Sequence, residues 1–376
     1  MKDKKSSLGK LVCFLHQVGF LAALMPLAAQ AAPVYSVTTL PGIGLSNVAY
    51  GINASGHVVG YTAGQNTRAF LYQDGVMRQL GTLGGGNNEA RGISDAGHVV
   101  GRSSTEGTGA HAFLYQDGVM IDLGTLGGTG SNATGVNAAG QVVGYAYTAG
   151  DASLRGFVYQ NGAMTDIGTL GGTNSAAFDI NEFGQVVGEA YIADDVSAHA
   201  FLYQDGVMTD LGTLGGVFSH ALGINASGQV VGYSDTTPNS WQQHAFLYQD
   251  GVMTDLGTLG GLLSFARSIN AAGHVVGGSL TADGRSSAFL YRDGVLTDLN
   301  TLIEASPGWR LFDAYGINDR GQIAGYGCNT ASLCQAVRLD LIEDGDPAEV
   351  SEPGSAAILL GSMLAMAWVR RRSAPR

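Results

Sequence analysis

Short runs with strand character, separated by glycine-rich turns, recur along most of the chain. In the clearest copy, His-Ala-Phe-Leu-Tyr (199–203) is followed by Gln-Asp-Gly (204–206) and then by Val-Met-Thr-Asp-Leu (207–211). An Asp-Gly pair between β-forming residues predicts a tight hairpin, because glycine adopts positive φ at little cost. A second hairpin is predicted at Ile-Asn-x-x-Gly, which leads into Gln-Val-Val-Gly (229–232). Each copy therefore predicts four antiparallel strands, and no run has the 3.6-residue period of a helix.

The Ile-Asn-x-x-Gly turn occurs seven times, so the chain contains seven copies of the repeat. Its polar residue recurs at Asn53, Ser94, Asn137, Asn181, Asn225, Asn270 and Asn318, at intervals of 41 to 48 residues. Four strands in a unit of this length are typical of a β-propeller blade. The last copy lacks its fourth strand, and an orphan strand (34–40) precedes the first copy. We therefore predict an all-β, seven-bladed β-propeller over residues 32–342, with the last blade closed by the N-terminal strand because closure leaves no long unpaired edge.

One apolar position per copy is expected to hold neighbouring blades together. A phenylalanine occupies the third position of the His-Ala-Phe phrase in six copies: Phe70, Phe113, Phe157, Phe201, Phe246 and Phe289. One four-stranded sheet cannot bury both of its faces, so these side chains are predicted to pack between stacked sheets. Each would contribute roughly 1.5–3 kcal/mol relative to exposure.

The first 31 residues have the layout of a secretory signal peptide. Four lysines lie before Leu11, an apolar stretch runs to residue 28, and Ala29-Gln30-Ala31 forms a small-residue cleavage site. We expect cleavage before Ala32. The alternative is a membrane anchor that is never cleaved.

The other end carries a second targeting layout. An acidic linker (343–353) is followed by a transmembrane segment with an arginine cluster (354–376): residues 354–369 are apolar, and Arg370, Arg371 and Arg372 come next. Sixteen apolar residues are slightly short for a span, but the arginines would hold this end on the cytoplasmic side. The alternative is a small terminal core helix.

This tail resembles the PEP-CTERM sorting signal of Gram-negative bacteria. Glu352 and Pro353 match the motif, whereas Ser351 stands where the first proline belongs. The resemblance implies export through the inner membrane to the cell surface or extracellular matrix, and an exosortase-type protease as a partner. The tail would then be either a transient or a permanent anchor.

The repeat itself resembles the HAF-repeat family of extracellular bacterial proteins. The phrases HAFLYQDG, LGTLGG and GIN..G.VVG recur in register over residues 34–341, with His111, His199 and His244 carrying the histidine. The resemblance implies an extracellular location and a repeat architecture, and it assigns no activity.

The charge and the cysteines limit which partners and metal sites are expected. The net charge is −12 and every lysine lies before Leu11, so nucleic acid is not expected as a partner. Cys328 and Cys334 are predicted to form a disulfide in an oxidising exterior, since no nearby histidine completes a zinc site. No cofactor is expected. One aspartate recurs at the same position of five copies, and two roles are open for it: a structural hydrogen bond to a neighbouring blade, or weak calcium binding. These residues are Asp122, Asp166, Asp210, Asp255 and Asp298.

Function is expected where the copies differ, because variable positions on a rigid scaffold commonly carry binding. These positions flank the Ala before Ile-Asn or lie in the link between Val-Val-Gly and His-Ala-Phe. The candidate binding surface consists of Tyr50, Arg91, Phe178, His220, Trp241, Arg267 and Tyr315. Neutral variation of exposed positions is the alternative.

The sequence therefore predicts a non-catalytic binding or scaffold module for exopolysaccharide or another envelope component. The alternative function is an extracellular glycan-degrading enzyme, either a glycoside hydrolase or a lyase. Glycoside hydrolysis needs two carboxylates at a set separation, and Glu89, Asp179 and Asp313 are the acids that break the repeat.

Overall fold

The computed structural model describes residues 34–41, 46–107, 109–238, 241–304 and 308–343. The signal-peptide prediction (1–31), the linker after residue 343 and the apolar tail lie outside these ranges. Within them, no helix has both the length and the apolar character needed to cross a membrane.

The described ranges are built from β-strands and two 3₁₀ turns. β1 is Val34–Thr39; β2 to β5 are Ser46–Ile52, Val58–Ala63, Arg68–Gln73 and Val76–Gln79; β6 to β9 are Gly84–Ile93, Val99–Thr105, Ala110–Gln116 and Val119–Asp122; β10 to β13 are Gly127–Val136, Val142–Thr148, Leu154–Gln160 and Ala163–Asp166. β14 to β17 are Gly171–Ile180, Val186–Ile192, Ala198–Gln204 and Val207–Asp210; β18 to β21 are Ser219–Ile224, Val230–Asp235, Gln243–Gln249 and Val252–Gly257. β22 to β25 are Gly260–Ile269, Val275–Thr281, Ser286–Arg292 and Val295–Asp298; β26 to β28 are Trp309–Ile317, Ile323–Asn329 and Cys334–Glu343; the 3₁₀ turns are Ala149–Asp151 and Leu299–Thr301.

The strands pair antiparallel within each repeat, which confirms the all-β class and the four-stranded unit. Four-stranded sheets are formed by β2–β5, β6–β9, β10–β13 and β14–β17, and by β1 together with β26–β28. β18–β21 and β22–β25 share one eight-stranded sheet, joined by a single parallel contact between Gln243 and Leu263. β1 pairs antiparallel with β28, so the two ends of the described chain meet in one sheet.

The hairpin turns form for the reason that the sequence suggests. Asp205 and Gly206 both have positive φ, at 52° and 81°. Two consecutive residues of this kind make the type of tight turn whose twist matches that of the flanking strands. Asn161 and Gly162 adopt the same conformation in the third repeat.

The core lies between neighbouring sheets, as predicted. Phe201 of β16 is fully buried and clusters with Val143 of the preceding sheet. At the junction of the two chain ends, Phe70 clusters with Ala324 and Ala336 of the sheet that contains β1. Each sheet thus buries a face that it could not cover by itself.

A polar side chain near the start of most first strands fastens that strand to the preceding sheet. Ser219 accepts a hydrogen bond from the Ala200 amide at 2.8 Å and donates one to the Gly212 carbonyl at 2.5 Å. Asn47 does the same across the chain ends, accepting from the Ala336 amide and donating to the Leu40 carbonyl. The equivalents in the other repeats are Asn88, Ser131, Ser175 and Ser264. We call these residues the staples.

The turn asparagines link neighbouring repeats at the ends of the first strands. Each donates its side-chain amide to the backbone carbonyl of the equivalent residue in the next repeat. The links include Asn318 to Asn53, which joins the last repeat to the first at 2.9 Å. Ser94 is an acceptor in this asparagine ring, and its shorter side chain stands where the other repeats have an asparagine.

Candidate functional site: the central pocket

A β-bulge at the same position of every first strand presents the variable residue. In the second repeat, Ala90 pairs with Gly101 and Gly92 pairs with Val100, so Arg91 lies in the bulge. The bulged residues are Tyr50, Arg91, Thr134, Phe178, Leu222, Arg267 and Tyr315. Bulges re-aim side chains, and here each one leaves the preceding alanine buried while its own residue is only half-buried.

The glycine of Val-Val-Gly makes room for this bulge. A Cβ on Gly232 would overlap the backbone carbonyl oxygen of His220 on the neighbouring strand. Gly60 and Gly101 meet the bulged strands of their own repeats in the same way. Any larger residue there would push the two strands apart, so the glycine maintains the bulge that presents the variable side chain.

All seven bulged residues line one pocket, which we call the central pocket. Its volume is about 160 Å³, and its wall also contains Asp179, Ser268 and three apolar residues that end first strands, Ile52, Ile93 and Val136. A second cavity of about 260 Å³ lies on the side of the asparagine ring and shares Ile52, Val136 and Asp179 with the first. Five of the seven sequence-predicted binding residues line the central pocket: Tyr50, Arg91, Phe178, Arg267 and Tyr315.

One side of the central pocket combines arginine with tyrosine. The Arg91 guanidinium lies 4.5 Å from the centre of the Tyr50 ring, and the Arg267 guanidinium lies 5.5 Å from that of Tyr315. The two tyrosine rings meet edge to face at 5.1 Å. These four side chains come from four repeats and form one continuous surface.

Carboxylates hold both arginines in place. Glu89 contacts Arg91 at 2.7 Å and Arg102 at 3.4 Å, and Asp313 contacts Arg267 at 3.0 Å. The two carboxylate side chains are only 14% and 15% exposed. Charge-assisted hydrogen bonds of this kind orient a guanidinium as well as stabilising it.

The aromatic surface continues past Arg267. Phe265 meets Tyr233 edge to face at 4.9 Å, and Tyr233 stacks on His220 at 4.5 Å. Burial lowers the pKa of His220 to about 4, so its imidazole is neutral at pH 7, and its Nδ1 contacts Glu189. His220 therefore lies at the margin of this surface and extends it.

Asp179 occupies a position where five of the other repeats have glycine. Its carboxylate accepts hydrogen bonds from the Ile180 amide at 2.9 Å and from the Ile224 amide of the next repeat at 3.0 Å. Burial raises the pKa of Asp179 to about 6. Glu89, Asp179 and Asp313, the acids that the sequence singles out, therefore all belong to the pocket or its immediate support.

Two sequence-predicted features lie away from the pocket. Trp241 follows β19 in a loop, is 91% exposed and is not among the residues that line the pocket. Cys328 and Cys334 form a disulfide where β27 and β28 pair them directly.

The repeated aspartates have a local role, and the expected bond to a neighbouring blade is wrong. Asp210 contacts His199 of the adjacent strand at 2.9 Å and accepts a hydrogen bond from the Gly212 amide at 2.7 Å. Both partners belong to its own repeat, because β16 and β17 pair within one sheet. Asp122 with His111 and Asp255 with His244 repeat the arrangement. Among the described residues, no three His, Cys, Asp or Glu side chains gather into a metal-holding group.

Comparison with known proteins defines the fold as a β-propeller. The β-propeller domain of the Trilobed protease from Pyrococcus furiosus matches with a TM-score of 0.51 and 9% identity, over 79% of this chain and 94% of that one. The Pyrococcus horikoshii acylaminoacyl peptidase (TM-score 0.47, 11% identity) matches over 80% of this chain and 52% of its own, so this chain spans about half of that peptidase. A gluconolactonase from Xanthomonas campestris matches with a TM-score of 0.41 and 14% identity, over 84% and 93% of the two chains. At sequence identities this low, the similarity shows a shared fold and nothing about activity.

Sequence comparison adds a family without an assigned activity. A protein family of unknown function, DUF3466, matches residues 168–347. No curated protein sequence matches the chain.

Proposed function

We propose that the chain is a seven-bladed propeller whose central pocket binds a glycan of the extracellular matrix or another envelope component without transforming it. The blade count is supported by the seven first strands, which contact one another in sequence from β2 to β26 and then back to β2. The β1–β28 pairing and the Asn318–Asn53 bond support closure by the N-terminal strand.

The observation that carries the binding proposal is the use of the bulge. Seven equivalent backbone positions deliver seven side chains to one cavity. The residue type varies at these positions, whereas the staples and the turn asparagines are largely the same from repeat to repeat. Aromatic and arginine side chains, which are enriched among residues that dominate binding, occupy four of these seven positions in one connected surface.

The experiment is capture of matrix polysaccharide from the producing strain by immobilised protein. Tyr315→Ala should reduce capture at least tenfold, because it removes a ring that contacts both Arg267 and Tyr50. Trp241→Ala, which changes an exposed aromatic residue outside the pocket, is the matched control and should capture as wild type does. Equal capture by all three proteins would contradict a pocket-centred function.

A glycan-degrading enzyme is the second candidate, and Asp179 is the observation that favours it. A carboxyl group with its pKa raised by burial, in the wall of a cavity, is a common feature of general acids. If the wild-type protein releases new reducing ends from captured polysaccharide and Asp179→Asn abolishes that release, the protein is an enzyme and the binding proposal is wrong. Capture without product release supports the binding module.

The location of the protein is a further part of the proposal. The layout of Ala29–Ala32 supports removal of a signal peptide, and Glu352-Pro353 with Arg370–Arg372 supports an exosortase-type protease as a partner. Both segments lie outside the described residues. The protein would act at the surface of a Gram-negative cell or in its matrix.

A further inference from the structure

We infer that the central pocket selects an uncharged, hydroxyl-bearing ligand, such as a neutral sugar residue of a glycan, and discriminates against acidic sugars. The inference rests on the proposed function, because it specifies the ligand class of the same pocket.

Arginines often suggest an anionic ligand, but here their charge is already matched. Arg91 and Arg102 share Glu89, Arg267 pairs with Asp313, and Asp179 adds a third carboxylate to the wall. Even when Arg102, which does not line the pocket, is counted, three cations are balanced by three acids, and no excess positive charge remains to stabilise a uronate or a phosphate. Burial of an anionic group beside these half-buried carboxylates would be repulsive.

A cationic ligand is disfavoured for a different reason. Tyrosine faces attract cations, but a guanidinium already lies over the rings of Tyr50 and Tyr315. A ligand ammonium group would have to displace Arg91 or Arg267 and break its ion pair.

The surface that remains suits hydroxyl groups. About a third of each arginine side chain is exposed, 33% for Arg91 and 32% for Arg267, so N–H groups remain available beside carboxylate acceptors. A hydroxyl both donates and accepts hydrogen bonds and can use both kinds of group. Phe178 and Leu222 line the same cavity and offer apolar contact to C–H faces. The volume of about 160 Å³ is below the roughly 300–1,000 Å³ of common ligand pockets, which favours one ring at a time.

The test uses two probes that share one sugar backbone: an oligogalacturonate and the same oligosaccharide after reduction of its carboxyl groups to neutral hydroxymethyl groups. An array of neutral glycans is tested alongside them. We expect neutral glycans to bind, and the reduced oligosaccharide to bind at least tenfold more tightly than the acidic one. Binding of neutral ligands should change little between 20 mM and 500 mM salt, concentrations chosen to span roughly 20 Å to 4 Å of charge screening.

Charge-relief variants sharpen the test. Glu89→Gln frees Arg91 and Arg102, and Asp313→Asn frees Arg267, so each variant should improve binding of the acidic oligosaccharide by about tenfold. Asp283→Asn removes an exposed partner of Arg285 outside the pocket and should leave both affinities unchanged. Thermal unfolding of each variant separates a change in selectivity from a loss of fold.

Two results would overturn the inference while leaving the proposed function intact. One is tighter binding of the acidic probe by the wild-type protein, and the other is successful capture of matrix polysaccharide without binding of any neutral glycan. Failure of both matrix capture and the array would instead refute the proposed function itself.

Discussion

Removal of the Asn47 staple should open the propeller where its two chain ends meet. Asn47 is 1% exposed and bonds simultaneously to the Leu40 carbonyl and the Ala336 amide. Leu40 and Ala336 are themselves fully buried, so water has little access to the groups that Asn47→Ala would leave unpaired.

The magnitude follows from these two orphaned groups. A buried donor or acceptor without a partner costs about 1–3 kcal/mol, so Asn47→Ala should lose roughly 2–5 kcal/mol of unfolding free energy. That is a large share of the roughly 5–15 kcal/mol typical of a folded domain. Urea unfolding followed by far-ultraviolet circular dichroism measures the loss as a lower midpoint.

Two matched variants locate the effect. Asn47→Ser installs the side chain that four other repeats use as their staple, and it should recover most of the stability. Ser219→Ala removes an equivalent staple between two internal sheets and should cost a similar amount. Deletion of residues 34–40 should go further and expose the edge of β28, so aggregation is expected in size-exclusion chromatography. If Asn47→Ala and the deletion both kept the wild-type midpoint and a monomeric profile, closure by the N-terminal strand would be refuted.

Three further outcomes test other parts of the molecule. Replacement of Cys328 and Cys334 by Ser should cost about 2 kcal/mol, because the closed loop is short, and alkylation of exported protein before and after reduction checks the bond; full alkylation without reductant would contradict it. Asp179 has a pKa raised to about 6 from an ordinary 3.8, so its folded state prefers the protonated form: its contribution is most favourable below pH 4 and is lost as the pH rises through 6, by about 3 kcal/mol at pH 7. Urea unfolding of wild type and Asp179→Asn at pH 4 and pH 7 should show this difference, and parallel pH profiles would argue against it. Intact-mass analysis of matrix-associated protein should show an end near Glu352-Pro353; a tail that continues through Arg376 would rule out sorting-signal processing.

Much of the scaffold could be predicted because short local sequences determine its turns and strands, and these sequences repeat along the chain. Asp-Gly at 205–206 specifies a hairpin through backbone conformation alone, and the repeated phenylalanines signal a face that only stacking can bury. Repetition also distinguishes variable positions from constant ones, and Tyr50, Arg91 and Arg267 stand at variable positions of the sequence.

The remaining features depend on contacts that the sequence does not record. The pairing of Arg267 with Asp313 joins residues 46 positions apart, and the role of Asp210 depends on which strand lies beside it. The bulge was missed, although it left a signal: a glycine within a predicted strand, in Val-Val-Gly, often marks a bulge or a close backbone approach. Trp241 lies in a loop outside the pocket, and the sequence alone does not show which variable aromatic residues face the pocket.

The bulge also explains how a repeated scaffold can hold a site that is not symmetric. A change at a staple such as Ser219 disturbs two backbone groups of the preceding sheet, whereas a change at a bulged residue leaves the strand pairing intact. The bulged positions can therefore differ from repeat to repeat at little cost in stability. Tyr50, Arg91, Arg267 and Tyr315 come from four consecutive repeats around the β26–β2 contact, whereas Phe178 and Leu222 come from repeats on the other side. The polar and apolar walls of the pocket are thus set by the order of the repeats. An exchange of residues between two bulges, such as Arg91→Leu with Leu222→Arg, leaves Glu89 paired with Arg102 and should move part of the polar wall while the fold remains intact.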